Sequence, residues 1–169
     1  MSYRLNLTLP ALVCASICSL SAMDRPLSDP AYPRLVVQAL VGTSGFEPGV
    51  AAEWRLHDHE IMLRPEVFIS EDGRPGAGGS INWNLSLLNL PDSQYLTVGP
   101  RVVYHNSDDS GWEADALVIW NLDLNTSQRG RHFLEVIGAL GVLQDKENDD
   151  GANKAVVGAS IGAGYGYQF

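Results

Sequence analysis

From Leu35 to Phe169 the chain alternates apolar and polar residues with a period of two, in eight successive segments separated by turn signals. A period of two puts neighbouring side chains on opposite faces of an extended chain, and no segment carries a convincing period of 3.6. The predicted strands are Leu35–Thr43, Val50–His57, Glu60–Ser70, Gly79–Leu90, Tyr95–His105, Trp112–Leu124, Arg131–Leu143 and Ala155–Phe169. Between them lie Ser44-Gly45, Asp58-His59, 71–76, Pro91-Asp92, 106–111, 125–130 and the acidic stretch 144–154, all rich in residues that favour turns. The expected class is all-β, an antiparallel up-and-down chain.

Two faces follow from the alternation. In the sixth segment Trp112, Ala114, Ala116, Val118, Trp120 and Leu122 oppose Glu113, Asp115, Asn121 and Asp123. In the eighth, Val157, Ala159, Ile161, Ala163, Tyr165, Tyr167 and Phe169 oppose Gly158, Ser160, Gly162, Gly164, Gly166 and Gln168. A soluble half-buried sheet shows the same alternation. Strand length separates the two cases: these run about 9–14 residues, against a mode of about 5–6 in soluble sheets and about 9–11 needed to cross a bilayer at barrel tilt. Alternate glycines on the polar face suit a crowded small lumen. Aromatic residues lie toward strand ends, Tyr104 and Trp112 at one rim and Tyr165, Tyr167 and Phe169 at the other, as in membrane barrels. Trp83 and Trp120 read as nearer mid-strand. The turns after the second and fourth segments read as short, and those after the third, fifth and seventh as longer and acidic. The predicted fold is an eight-stranded antiparallel up-and-down transmembrane β-barrel.

The ending Gly162-Ala163-Gly164-Tyr165-Gly166-Tyr167-Gln168-Phe169 resembles the C-terminal signature of bacterial outer-membrane β-barrels. With eight segments, the chain is similar to the small OmpA/OmpX type. That resemblance implies that Tyr165, Tyr167 and Phe169 belong to an assembly signal read by the barrel-assembly machinery. It also implies an outer membrane of a Gram-negative bacterium, with its lipids and lipopolysaccharide, as surroundings.

The N-terminus agrees. Arg4 is the only charge in residues 1–22, followed by an apolar run and the small residues Ser19, Ser21 and Ala22. This is a secretory signal layout, with cleavage after Ser21 or Ala22. Residues 23–34 hold Pro26, Pro30 and Pro33 and read as an extended periplasmic lead-in; 35–169 is the barrel. Cys14 and Cys18 both fall in the signal, so no disulfide framework is expected. The chain is acidic, with formal charge −9 and pI near 4.7, which excludes the basic stripe of a nucleic-acid binder.

With the apolar face outward, the interior collects Glu53, Arg55, Arg64, Glu66, Arg101, Glu113, Asp115 and Glu135. Charges of both signs in a narrow, weakly polar space should pair, because an unpaired buried charge costs several kcal/mol. An eight-stranded barrel has room only for its side chains, so an ion-paired plug is expected. Opposing Arg and Tyr side chains are expected to fill the space beside the last strand's glycines.

Catalytic motifs are thin. His105-Asn106-Ser107 with Glu113 faintly resembles the His-x-Ser plus Glu set of outer-membrane lipid A deacylases, but that family's spacing is absent. A barrel-end histidine beside a solvated loop is the simpler reading. His57, His59 and His132 do not share a face with further ligands, so no zinc site is expected. Asp145-Lys146-Glu147-Asn148-Asp149-Asp150-Gly151 looks superficially like a calcium loop, but its glycine comes one position late. The expected function is therefore a monomeric outer-membrane barrel of structural or interaction type, without catalysis, cofactor or metal. The rivals are an exported soluble lipocalin-like barrel holding a small apolar ligand and a lipid A-modifying enzyme.

Overall fold

The computed structural model describes residues 33–56, 61–85, 90, 94–106, 111–124, 131–146 and 153–169. The stretch read as a signal and most of that read as a lead-in, residues 1–32, lie outside the described residues. Eight strands follow one another: β1 (Arg34–Gly42), β2 (Gly45–Leu56), β3 (Ile61–Ile69), β4 (Pro75–Asn84), β5 (Gln94–His105), β6 (Trp112–Asp123), β7 (Arg131–Lys146) and β8 (Asn153–Gln168). Each pairs antiparallel with the next, and β8 returns to β1, with Arg34 opposite Gln168 and Gly42 opposite Ser160. The sheet is a closed barrel and has no free edge.

The registers fix its stagger. Starting at Val36, successive partners are Ala51, Glu66, Gly78, Val103, Glu113, Leu143 and Val156. The β8–β1 register pairs Ser160 with Gly42; continued by four residues, it sets Val156 level with position 46 of an extended β1. That is ten residues beyond Val36, so the shear number is 10. With about 3.3 Å per residue and strands about 4.8 Å apart, eight strands at this stagger incline about 40° to the axis.

Two strands depart from the sequence expectation. β2 begins at Gly45, five residues before Val50, because Pro48 and Gly49 continue the ladder and pair with Ala39 and Gln38. β4 starts at Pro75 and ends at Asn84, four to six residues earlier than predicted. Gly76, placed in the predicted turn, and Gly78 are strand residues opposite Phe68 and Glu66, and Gly79, the predicted first residue of the strand, lies opposite Pro65. Proline and glycine were read as punctuation where a closed sheet carries them internally. Arg34, assigned to the lead-in, is the first residue of β1.

The revised β4 also corrects the loop pattern. The interval 85–93 is the longest between consecutive strands, so turns are not uniformly shorter at the end where β1 begins. At the other end β1 and β2 meet through Thr43-Ser44, with Gly45 at φ 97°, and β3 meets β4 through a loop that needs Gly73 at φ 78°.

Trp83 is the penultimate residue of β4, and Trp54 and Trp120 lie within three residues of the ends of β2 and β6, all at the end where β1 begins. They join Tyr165, Tyr167 and Phe169 there, while Phe46, Tyr104 and Trp112 sit at the opposite rim. Trp83 and Trp120, read from sequence as mid-strand, thus belong to a rim. Eight residues separate Trp112 from Trp120, about 20 Å along the axis at this tilt. The outer surface between the rims is aliphatic, with Val37, Val67, Val136, Leu140 and Ile161 exposed. Among the described side chains, the outward phase of the eight strands carries no Asp, Glu, Lys or Arg.

Candidate functional site

Alternation turns every second residue inward, and the inward set falls into two sectors. One is apolar: Leu40, Met62, Leu117, Ile119, Ile137 and Ala139 form a buried cluster, with Val36, Ala51 and Phe133 a second. The other is a chain of ionic contacts running from one end of the lumen to the other.

The chain starts at Arg34. Its guanidinium reaches Asp123 at 3.4 Å and Glu53 at 3.6 Å, and lies 3.4 Å from the centroid of the Phe133 ring. Glu53, fully buried, also pairs with Arg64. Arg64 spans the lumen to Glu135 at 2.8 Å and bonds the Gln38 carbonyl oxygen. The Gln38 amide donates to Glu66 at 2.7 Å. Glu66 accepts from Arg101 Nε at 2.5 Å, and Arg101 Nη1 meets Asp115 at 2.8 Å and Glu113 at 3.6 Å. Glu113 bonds His105 Nε2 at 2.8 Å, and Glu47 lies 3.1 Å from His105 Nδ1.

Seven of the eight interior positions read from sequence take part: Glu53, Arg64, Glu66, Arg101, Glu113, Asp115 and Glu135, all buried. Arg55 differs. It is half-buried, its guanidinium lies 4.1 Å from the Tyr95 ring centroid, and no carboxylate of the described residues is in ion-pair contact with it. Arg34, Gln38, Glu47, His105 and Asp123 belong to the network but were not picked out for it. Arg34 and Gln38 share the phase of Val36, and Glu47 that of Glu53, so the alternation held the signal. Arg34 and Glu47 lie outside the predicted first and second strands, Gln38 lies inside the first but carries no charge, and His105 and Asp123 close their strands.

The expectation that Arg and Tyr fill the space beside the last strand's glycines is corrected. Phe133 lies opposite Gly166, and a Cβ at Gly166 would fall within its ring. Gly162 abuts Leu40 and the Ala39 backbone, and Gly164 abuts Val36 and Glu135. Phe68 covers Gly76 in the same way across β3 and β4. A ring laid over a cross-strand glycine fills a position where two side chains would collide.

What this interior does chemically is pair its own charges across the lumen. Arg34, Arg64 and Arg101 each contact two or more acceptors, which is the condition for retaining buried charges. Both His105 nitrogens face carboxylates, so neither is free to activate a serine hydroxyl, and Ser107 lies outside the described residues. The stretch 145–151 also lies largely outside them. Among the described residues no group of three or more His, Cys, Asp or Glu is arranged to hold a metal. Tyr165 and Tyr167 sit at the rim where β8 ends, Tyr165 Oη 2.5 Å from His132 Nδ1, and Tyr167 and Phe169 ring to ring at 5.1 Å.

No family model, curated protein or solved structure matches this chain.

Proposed function

We propose that this chain is a small integral outer-membrane β-barrel whose interior is plugged by its own ion network. Its role is then structural or interaction-type rather than catalytic. One observation carries the reading: the barrel is inside out for water. The described outward side chains lack Asp, Glu, Lys and Arg, while Arg34, Arg64 and Arg101 are almost fully buried with their carboxylates. A water-soluble barrel places its apolar face inward, as a calyx for an apolar ligand must. Aromatic residues at both rims of an aliphatic band about 20 Å tall match the profile of membrane barrels, about 25 Å.

The surroundings proposed are lipid and lipopolysaccharide, with a monomer as the working unit and Tyr165, Tyr167 and Phe169 as the strand end recognised during assembly. Fractionation after expression with its own N-terminus tests this. The chain is expected in the outer-membrane pellet, resistant to carbonate extraction, and faster-migrating on unboiled gels. Recovery in the soluble periplasmic fraction would overturn the reading.

A further inference from the structure

We propose that His105 is a proton-dependent crossbar that closes the lumen at the hairpin end of the barrel. The inference rests on the barrel interior and not on what surrounds it. His105 is the last residue of β5, beside the Tyr104–Trp112 pair that marks this rim. Its ring reaches across the lumen: Nδ1 is 3.1 Å from Glu47 on β2, and Nε2 is 2.8 Å from Glu113 on β6. Two strands, β3 and β4, lie between β2 and β5 around the wall, so the contact ties separated parts of the sheet together.

The donor count decides the state. A neutral imidazole has one N–H, and its other nitrogen presents a lone pair. Hydrogen-bonded to Glu113 through Nε2 and in charge contact with Glu47 at Nδ1, the ring suits both carboxylates only as the imidazolium. The remaining neighbours do not supply an alternative. Phe68 of β3 packs its ring edge-on at 5.1 Å, and β4 offers Gly76. Arg101 of β5 lies 3.6 Å from the far oxygen of Glu113 and is otherwise engaged by Glu66 and Asp115. Glu47 has no other ionic partner among the described residues. Loss of the His105 proton therefore leaves Glu47 facing a lone pair, with Glu113 as a second like charge across the mouth. The crossbar then releases β2 from β6.

Nitrogen-15 spectra of the histidine rings in the refolded full chain test this, with Cys14→Ser and Cys18→Ser present throughout and His105→Gln assigning the signals. At pH 7.5 both His105 nitrogens are expected to carry protons; a neutral tautomer there overturns the proposal. Glu47→Gln is expected to lower the titration midpoint by about one pH unit or more, the ordinary size of an opposite-charge effect. An unchanged midpoint would mean that Glu47 does not hold the ring. Spin labels at Ser44→Cys and Trp112→Cys then read the mouth. Their distance distribution should broaden as His105 loses its proton, and one that stays narrow through the titration refutes the crossbar. The wild-type spectrum and the spin-label titration need no substitution within the network, so the test does not depend on the folding of the Glu47 variant.

Discussion

Replacing Arg64 with Met is the most informative single perturbation of the interior. Arg64 is 1% exposed and bonds Glu53, Glu135 and Gln38 at once. Met keeps much of the side-chain length and removes the charge. Glu53 would retain Arg34 at 3.6 Å, whereas Glu135 would lose its only ion-pair partner among the described residues. Breaking a buried pair by deleting one member costs about 3–5 kcal/mol, because the survivor remains charged and desolvated. The estimate for Arg64→Met is therefore about 3–5 kcal/mol, most of it from Glu135. The triple change Arg64→Met, Glu53→Gln, Glu135→Gln leaves no orphaned charge there and should recover at least half of the loss. Urea unfolding of the refolded chain in lipid vesicles, followed by tryptophan fluorescence, measures both. A cost for Arg64→Met below about 1 kcal/mol, the ordinary value of an exposed pair, would refute the reasoning. So would a triple variant no more stable than the single one.

Four further outcomes are expected. Gly166→Ala should destabilise by about 1–3 kcal/mol in the same assay, since the methyl would fall within the Phe133 ring, which Arg34 holds from its face. Gly138→Ala, where an added Cβ meets nothing within 4 Å, should be neutral or stabilising by up to about 1 kcal/mol. Ile161→Arg, at a position 67% exposed on the outer band, should cost about 2–4 kcal/mol in bilayers; a neutral result there would contradict lipid contact. Planar-bilayer recordings of the wild-type chain should show almost no conductance, with Arg101→Ala raising it; steady ohmic openings of the wild type would refute the plug.

The closed eight-stranded sheet was legible because alternation persists through strands too long for an ordinary soluble sheet. Charged positions were legible for the same reason: one phase of each strand holds them, and β6 shows this from Trp112 to Asp123. What escaped was governed by neighbours distant in sequence. Pro48 falls outside the predicted second strand, yet it turns outward inside a continuous ladder, as Pro65 does inside the third. Gly76 reads as the end of a turn until Phe68 is seen opposite it. Arg34 lies beside a proline-rich stretch that hid the start of β1. His105 suggested chemistry through its neighbours in sequence, but its partners are Glu47, 58 positions earlier, and Glu113.

On the proposed reading, the apolar sector of the lumen explains why a plug needs no full lining of ion pairs. Ionic contacts descend from Glu47 through Arg101 and Arg64 to Asp123, crossing the lumen at each arginine. Beside them Leu40, Leu117, Ile137 and Ala139 pack toward β8, whose inward face carries Gly158, Gly162, Gly164 and Gly166. Glycines there bring the apolar cluster against the wall, which uses up the width that small residues would otherwise leave to water. A permeating ion would thus meet hydrocarbon on one side and already paired charges on the other, and neither replaces its hydration. Weakening one sector alone should therefore open the lumen less than weakening both. Leu117→Ala and Arg101→Ala are expected to raise conductance together by more than the sum of their separate effects. Simple additivity in planar bilayers would show that the two sectors do not share one barrier.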